Sequence, residues 1–266
     1  MRTHLVIPDS HAKPGVSNRR FELLGKLIVD RRPDVIVNIG DMADMESLCT
    51  YDKGTKSFEG RRYESDLEAM YIAQNYMLRP LWELQASQAK SKKAKYLPEL
   101  HYCIGNHEAR IDRVTEKQPE LSGFMNIKDL ALESYGWNVV PFLDTLEVDG
   151  IHYAHYFTGG VMSKPIGGDN AASTLLRKQH VSCTMGHTHT LDYKVQTTAT
   201  GQRIHGLICG SFLEPDQIES YAGPANKLWW RGVIMKHIRG YGDYDLELIS
   251  IERLEKEYGR RTDGVV

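Results

Sequence analysis

The 266-residue sequence is poor in cysteine, with four in all (Cys49, Cys103, Cys183 and Cys209), far apart and without a C-x-x-C pair. That excludes a disulfide framework or a zinc knuckle and reads as buried thiols in a reducing compartment, by default the cytoplasm. No apolar run approaches 18 residues, and the N-terminal stretch Leu5-Val6-Ile7 soon meets a charge at Asp9. Neither a membrane span nor a signal peptide is expected. A charge excess is also missing. Thirty-three Lys+Arg against 35 Asp+Glu leave a net charge of -2, so any polyanion has to be gripped locally. With no internal repeat and no long linker, residues 1–266 read as one domain whose 252–266 tail is charged and frayed.

What is present is a folded chain, 41% apolar and 26% charged, long enough to bury a sizeable core. Strand-like and helical patterns alternate through the first half, and strands and hairpins dominate the second. Thr3–Pro8, Val35–Ile39 and Leu100–Ile104 read as buried strands. A helix opens at Ser17, with Phe21, Leu24, Leu27 and Ile28 on one face before Pro33. Another covers Glu64 to about Ala89, where Pro80 predicts a kink or a break. Asp149-Gly150 predicts a two-residue hairpin between Thr145–Val148 and Ile151–Tyr156. Val181–Met185, Leu191–Thr197, Arg203–Cys209, Leu228–Ile238 and Tyr244–Ile251 complete the strands. The ordering predicts an α/β fold with antiparallel additions.

Polar residues fall at the ends of these strands. Asp9-Ser10-His11 ends the first, Gly40-Asp41-Met42-Ala43-Asp44 the second, Gly105-Asn106-His107-Glu108 the third, and Gly186-His187-Thr188-His189 a later one, while His155 ends the hairpin strand. In open α/β sheets ligands bind beyond the carboxyl ends of strands, so these clusters are placed to meet. Each alone has an ordinary structural explanation. Four in this order at strand ends do not.

Together D-x-H, G-D-x-x-D, G-N-H-E, a lone His and G-H-T-H resemble the motif set of the calcineurin-like metallophosphoesterases, stand-alone bacterial and bacteriophage enzymes among them, over about residues 1–210. The resemblance implies a four-layer α-β-β-α sandwich with a two-metal site at the strand ends. It assigns Asp9, His11, Asp41 and His189 to one ion and Asp41, Asn106, His155 and His187 to the other, with Asp41 bridging. A hydroxide shared by the two ions would attack phosphorus. Mixed imidazole and carboxylate ligands suit a divalent transition metal, manganese first, with iron, zinc, nickel or cobalt as alternatives. His107, free once Asn106 ligates, is placed to protonate the leaving oxygen. Asp44 matches the position that orients this histidine, although it also suits a helix N-cap.

Two departures bear on the substrate. Met45 stands where many relatives, the protein phosphatases included, have an arginine, and Tyr156 stands where glycine often follows the lone histidine, which narrows the pocket wall. Arg110 and Arg113 are the nearest replacement cations, or else ordinary helix charges. Lys53, Lys56, Arg61 and Arg62, interleaved with Phe58 and Tyr63, follow the second cluster and suit a nucleotide or nucleic-acid substrate. The denser run Lys90, Lys92, Lys93 and Lys95 precedes the third strand and reads as a solvated loop at the far end. A phosphodiester is therefore the favoured substrate, with phosphomonoester hydrolysis as the alternative and a non-catalytic scaffold of the same fold the remote one. The glycine pairs at 159–160 and 167–168 bracket a loop that either borders the cleft or merely connects.

Overall fold

The computed structural model describes residues 1–259. In chain order they form β1 (Thr3–Ile7), α1 (Arg19–Arg31), β2 (Val35–Asn38), α2 (Tyr63–Lys90), β3 (Glu99–Cys103), α3 (Arg110–Lys117), β4 (Asn138–Val140), β5 (Leu146–Val148) and β6 (Ile151–Tyr153). There follow the short strands β7 (Thr158–Gly159) and β8 (Lys164–Pro165), then α4 (Ala171–Gln179), β9 (Ser182–Met185), β10 (Leu191–Thr197), β11 (Arg203–Cys209), β12 (Gly232–Gly240), β13 (Asp243–Ser250) and α5 (Ile251–Tyr258). One sheet has the order β13-β12-β1-β2-β3-β4, the other β10-β11-β9-β6-β5. β1 through β4 run parallel, as do β6, β9 and β11; β12, β13, β5 and β10 add antiparallel pairs towards the edges, and β7 and β8 pair only with each other.

Strand periodicity sorts the core into three interfaces. Leu5 and Ile7 face α1 and α2, whereas Val6 between them faces the second sheet; Ile36 and its neighbours Val35 and Val37 divide in the same way. Val6, Val37, Ile39 and Cys103 of the first sheet meet Ile151, Tyr153, Leu207 and Cys209 of the second. Cys183, Met185 and Ile208 turn outward under Ala171, Ala172 and Leu175 of α4. Three buried interfaces make four layers, the α-β-β-α sandwich expected.

Two expectations need correction. Pro80 neither breaks α2 nor ends it, because the helix runs unbroken from Tyr63 to Lys90. Met70, Ala73, Met77, Leu78 and Leu81 bury on both sides of the proline, and that packing outweighs the lost hydrogen bond. Residues 251–258 are a helix, not a frayed tail; Ile251 and Leu254 bury against the first layer, and Ser250 Oγ caps the helix by accepting from Arg253 N–H. Residues 260–266 lie outside the described residues. Helix α1 begins two residues after Ser17, whose Oγ accepts from Arg19 N–H at 3.1 Å. In the hairpin, Asp149 and Gly150 both take positive φ (51° and 76°), the turn whose twist matches its strands. No helix among the described residues is long and apolar enough to cross a membrane.

Candidate metal centre

Because the parallel strands of both sheets end on the same side, the loops after β1, β2, β3, β6 and β9 meet. Backbone hydrogen bonds lock them together. Ser10 and His11 donate to the Asp41 carbonyl (3.1 and 3.0 Å), Asp44 donates to that of Ala12 (3.1 Å), and Phe212 donates to that of Asp9 (2.7 Å). His11, Asp41, His187 and His189 all have positive φ, between 40° and 69°. Four strained non-glycine residues in one place mark a functional site, held by the surrounding hydrogen bonds. Gly186 fits the tight approach of the two sheets, since a Cβ there would lie 2.0 Å from Asp9 Oδ1.

Among the described residues, four overlapping groups of side chains lie close enough to share an ion: two are the expected ones, and His11 also groups with Asp41 and His107 and with Asp44 and Glu219. His189 Nε2 lies 3.2 Å from Asp9 Oδ2, and His11 joins them. His155 Nε2 lies 3.3 Å from Asp41 Oδ2 and 2.9 Å from Asn106 Oδ1, and His187 joins them. Asp41 also lies 3.9 Å from His11 Nε2, so its carboxylate stands between the two expected groups. Asp9, His11, Asp41, His155 and His189 are buried and Asn106 and His187 half-buried, and among the described residues Asp9 Oδ1 and both ring nitrogens of His11 have no hydrogen-bond partner. Buried polar atoms without partners are costly, and a metal ion is the partner this donor set fits. His155 donates from Nδ1 to the Ile39 carbonyl at 3.0 Å, which turns Nε2 inward as a ligand.

Charge coupling follows from the geometry. Burial pushes the Asp41 carboxyl up, but the charges of His107 and His155 and the hydrogen bond from His155 outweigh it and hold the group well below its ordinary range. Burial, with the neighbouring His107, keeps His11 neutral; burial, with His155, takes His187 down to about 4. Against burial, the Asp41 carboxylate raises His155 to about 9, so a metal ion would have to displace its proton, since neutral imidazole is the form that ligates.

His107 is bound from three sides. Nδ1 donates to the Asp44 carboxylate (2.9 Å) and carbonyl (2.8 Å), and its backbone N–H donates to Asp41 Oδ1 (2.8 Å). Arg110 places a guanidinium nitrogen 3.0 Å from Nε2 and donates to the carbonyls of Asp44 (2.8 Å) and Met45 (3.2 Å). Met45 itself is buried in the core. Arg110 thus stands at the site where a clamp at position 45 is missing. Arg113 donates to the Asn106 carbonyl. The ring of Tyr156 lies tilted, 4.8 Å from that of His187 and 5.5 Å from that of His155.

The basic segment after the second cluster is only partly free. Arg61 pairs with Asp52 at 2.7 Å and Glu46 at 3.6 Å, and Tyr63 donates its hydroxyl to Asp129 at 2.8 Å. Lys53, Lys56 and Arg62 are exposed. The 159–168 loop forms the β7–β8 hairpin.

Other residues escaped the motif reading. Glu108, fully buried, accepts from the backbone N–H of Asp41, Ala43 and Gly105 (2.9 to 3.0 Å) and from the Tyr102 hydroxyl, tying the second and third clusters together. Lys13 lies 2.9 Å from Glu219 and 3.2 Å from Asp44. Trp229 packs edge-on against His189 at 4.3 Å. The G-N-H-E wording already contained Glu108, but nothing in the irregular segment after β11 pointed to Glu219 or Trp229.

An α-β-β-α sandwich with this cluster at its strand ends resembles the calcineurin-like metallophosphoesterases, as the five motifs do, and the His and Asp groups could hold metal ions. No family model matches the chain. The chain is similar to the Gene 54 protein of Mycobacterium phage L5, with 26% identity over 206 residues that cover 76% of this chain and 74% of that protein. It is also similar to the crystal structure of a conserved uncharacterized protein of Streptococcus pneumoniae, titled a predicted phosphoesterase, at 12% identity and a TM-score of 0.35, covering 94% of this chain and 89% of that one.

Proposed function

We propose that the chain is a phosphoesterase working with two divalent transition-metal ions, manganese first among them. The observation that carries this reading is the two expected His/Asp groups with Asp41 between them and the partnerless atoms of Asp9 and His11 beside them. Asp9, His11, Asp41 and His189 would hold one ion, and Asp41, Asn106, His155 and His187 the other. Ions held there would supply an acidified water and neutralise charge on the phosphate. With Asp44 orienting the ring through Nδ1, His107 would deliver a proton from Nε2 to the leaving oxygen once the Arg110 guanidinium, which donates to Nε2 here, has turned to the phosphate. Arg110, beside His107, steadies a non-reacting phosphate oxygen.

A diester or nucleotide-type substrate is the favoured reading, supported by exposed cations around the site mouth. Arg110 supports the second reading, a monoesterase, because it supplies a cation where Met45 does not. The four free cysteines suit a reducing cytoplasm, and one domain would carry the activity. A scaffold role is weakened by His107 and every ligand position being filled.

Elemental analysis of the purified protein tests the centre: two ions per chain are expected, and Asp41→Asn loses both together with turnover. Full occupancy and unchanged turnover in that variant would place the chemistry elsewhere. Comparing kcat/KM for bis(p-nitrophenyl) phosphate and p-nitrophenyl phosphate at fixed manganese and salt decides the substrate. A clear monoester preference overturns the diester reading.

A further inference from the structure

A small open cleft of about 50 Å³ lies between the loop after β2 and helix α3, lined by Leu48, Tyr51, Arg110, Arg113 and Lys117 among others. Positions 110, 113 and 117 recur on one face of α3, so three cations follow a single stripe. The first touches His107 and the second holds the Asn106 carbonyl, so the stripe starts at the metal centre and runs outward. Among the described residues neither Arg113 nor Lys117 has a carboxylate within ion-pair distance, and both are exposed. The nearby carboxylates of Glu46 and Asp52 are taken up by Arg61. Opposite the stripe stands Tyr51, 94% exposed.

We infer that this cleft holds a single-stranded nucleic-acid segment on the leaving-group side of the scissile phosphate. The inference rests on the phosphoesterase reading and names its substrate class. From Arg110 to Lys117 the helix spans roughly 10 Å, a length over which an extended single strand presents more than one backbone phosphate. Cations without carboxylate partners match such phosphates. An exposed tyrosine across from them matches a base, because every base presents a π-face on which an aromatic ring can stack. A bare polyphosphate would leave Tyr51 and Leu48 without a role. The groove lies on the side of His107, the proton donor to the departing oxygen, which places the released segment there.

The test is fluorescence anisotropy of a labelled single-stranded hexadeoxynucleotide with the full chain in EDTA, where cleavage stops, across a salt series and with inorganic tripolyphosphate as competitor. Lys117→Ala should weaken binding and flatten the log–log salt slope by about 0.7, the share of one phosphate contact on a single strand. Tyr51→Ala should weaken oligonucleotide binding by about fivefold or more with an unchanged slope and unchanged tripolyphosphate binding. Arg110 and Arg113 are left intact because they also hold the His107 and Asn106 loop. Affinity unmoved in both variants overturns the groove. Loss in Lys117→Ala that is equal for oligonucleotide and tripolyphosphate, with Tyr51→Ala like the parent, overturns the nucleic-acid assignment. Turnover of bis(p-nitrophenyl) phosphate with manganese is read separately: its absence in the parent refutes the phosphoesterase reading, whereas turnover with failed oligonucleotide binding refutes only the groove.

Discussion

His107 and Lys236 show how one side chain's surroundings set its chemistry. With Nδ1 held by Asp44 and Nε2 facing Asp41 at 3.8 Å and Arg110 at 3.0 Å, His107 is oriented without being needed as a ligand. Burial pulls its imidazolium down, but the charges of Asp41 and Asp44 win and leave its affinity for a proton above the ordinary value. His107→Asn should keep both metals and lose about 10²- to 10⁴-fold in rate for alkoxide leaving groups, with a smaller loss for p-nitrophenolate. Equal losses with good and poor leaving groups would argue against proton donation, and metal loss would make the residue a ligand.

Lys236 is fully buried between the sheets, its ammonium donating to Thr184 Oγ1 and the Tyr153 hydroxyl and lying over the rings of Tyr153 and Tyr244, with no carboxylate partner. Burial takes its pKa down to about 7 from 10.5. Between those two values the unfolded chain binds the proton that the folded chain has released, so this group makes stability rise with pH across the window and the gain is lost as pH falls through 7. Urea unfolding at pH 6 and pH 9 should show Lys236→Met reducing the difference between the two pH values by a few kcal/mol, at most about 1.4 kcal/mol per pH unit. The same pH dependence in parent and variant would refute this account.

At the scale of elements, α5 shows burial overriding composition. Its residues are mostly charged, yet Leu254 has no exposed surface and packs with the α1 cluster of Phe21, Leu24 and Ile28. Arg19 adds a link by donating to the carbonyl of Gly259 at 2.7 Å. Leu254→Ala should cost about 2 to 5 kcal/mol in equilibrium unfolding, the usual range for a leucine truncated in a packed core. A change under about 0.5 kcal/mol would mean that the segment is frayed after all.

For the molecule as a whole, the metal centre is a seam between layers. Asp9, Asp41 and Asn106 follow strands of the first sheet, whereas His155, His187 and His189 follow strands of the second. Ions bound there tie the sheets at the end where the strained ligand loops meet. Binding to the folded state alone raises stability by about 2.7 kcal/mol at a free metal concentration one hundred times Kd. Manganese should therefore raise the thermal midpoint of the parent and leave that of Asp41→Asn nearly unmoved. Equal shifts in both proteins would show that the stabilising ions bind elsewhere.

Local order along the chain was enough for the layers and for the polar clusters that meet at the strand ends. Alternation at Leu5-Val6-Ile7 and Val35-Ile36-Val37 reports which side of a strand meets which layer, because the strand period is two whatever the surroundings. The D-x-H, G-D-x-x-D, G-N-H-E and G-H-T-H clusters were legible because each ligand set is short and follows its own strand. Other features depend on partners far away in sequence. Lys13 meets Glu219 across 206 positions, Lys236 meets Tyr153 across 83, and Arg61 spends its charge on Asp52 instead of offering it to a substrate. Whether Pro80 interrupts a helix and whether residues 251–258 dock were likewise settled by burial against other elements. A side chain's charge, partner and exposure are set by everything packed around it, and that surrounding exists only once the chain has folded.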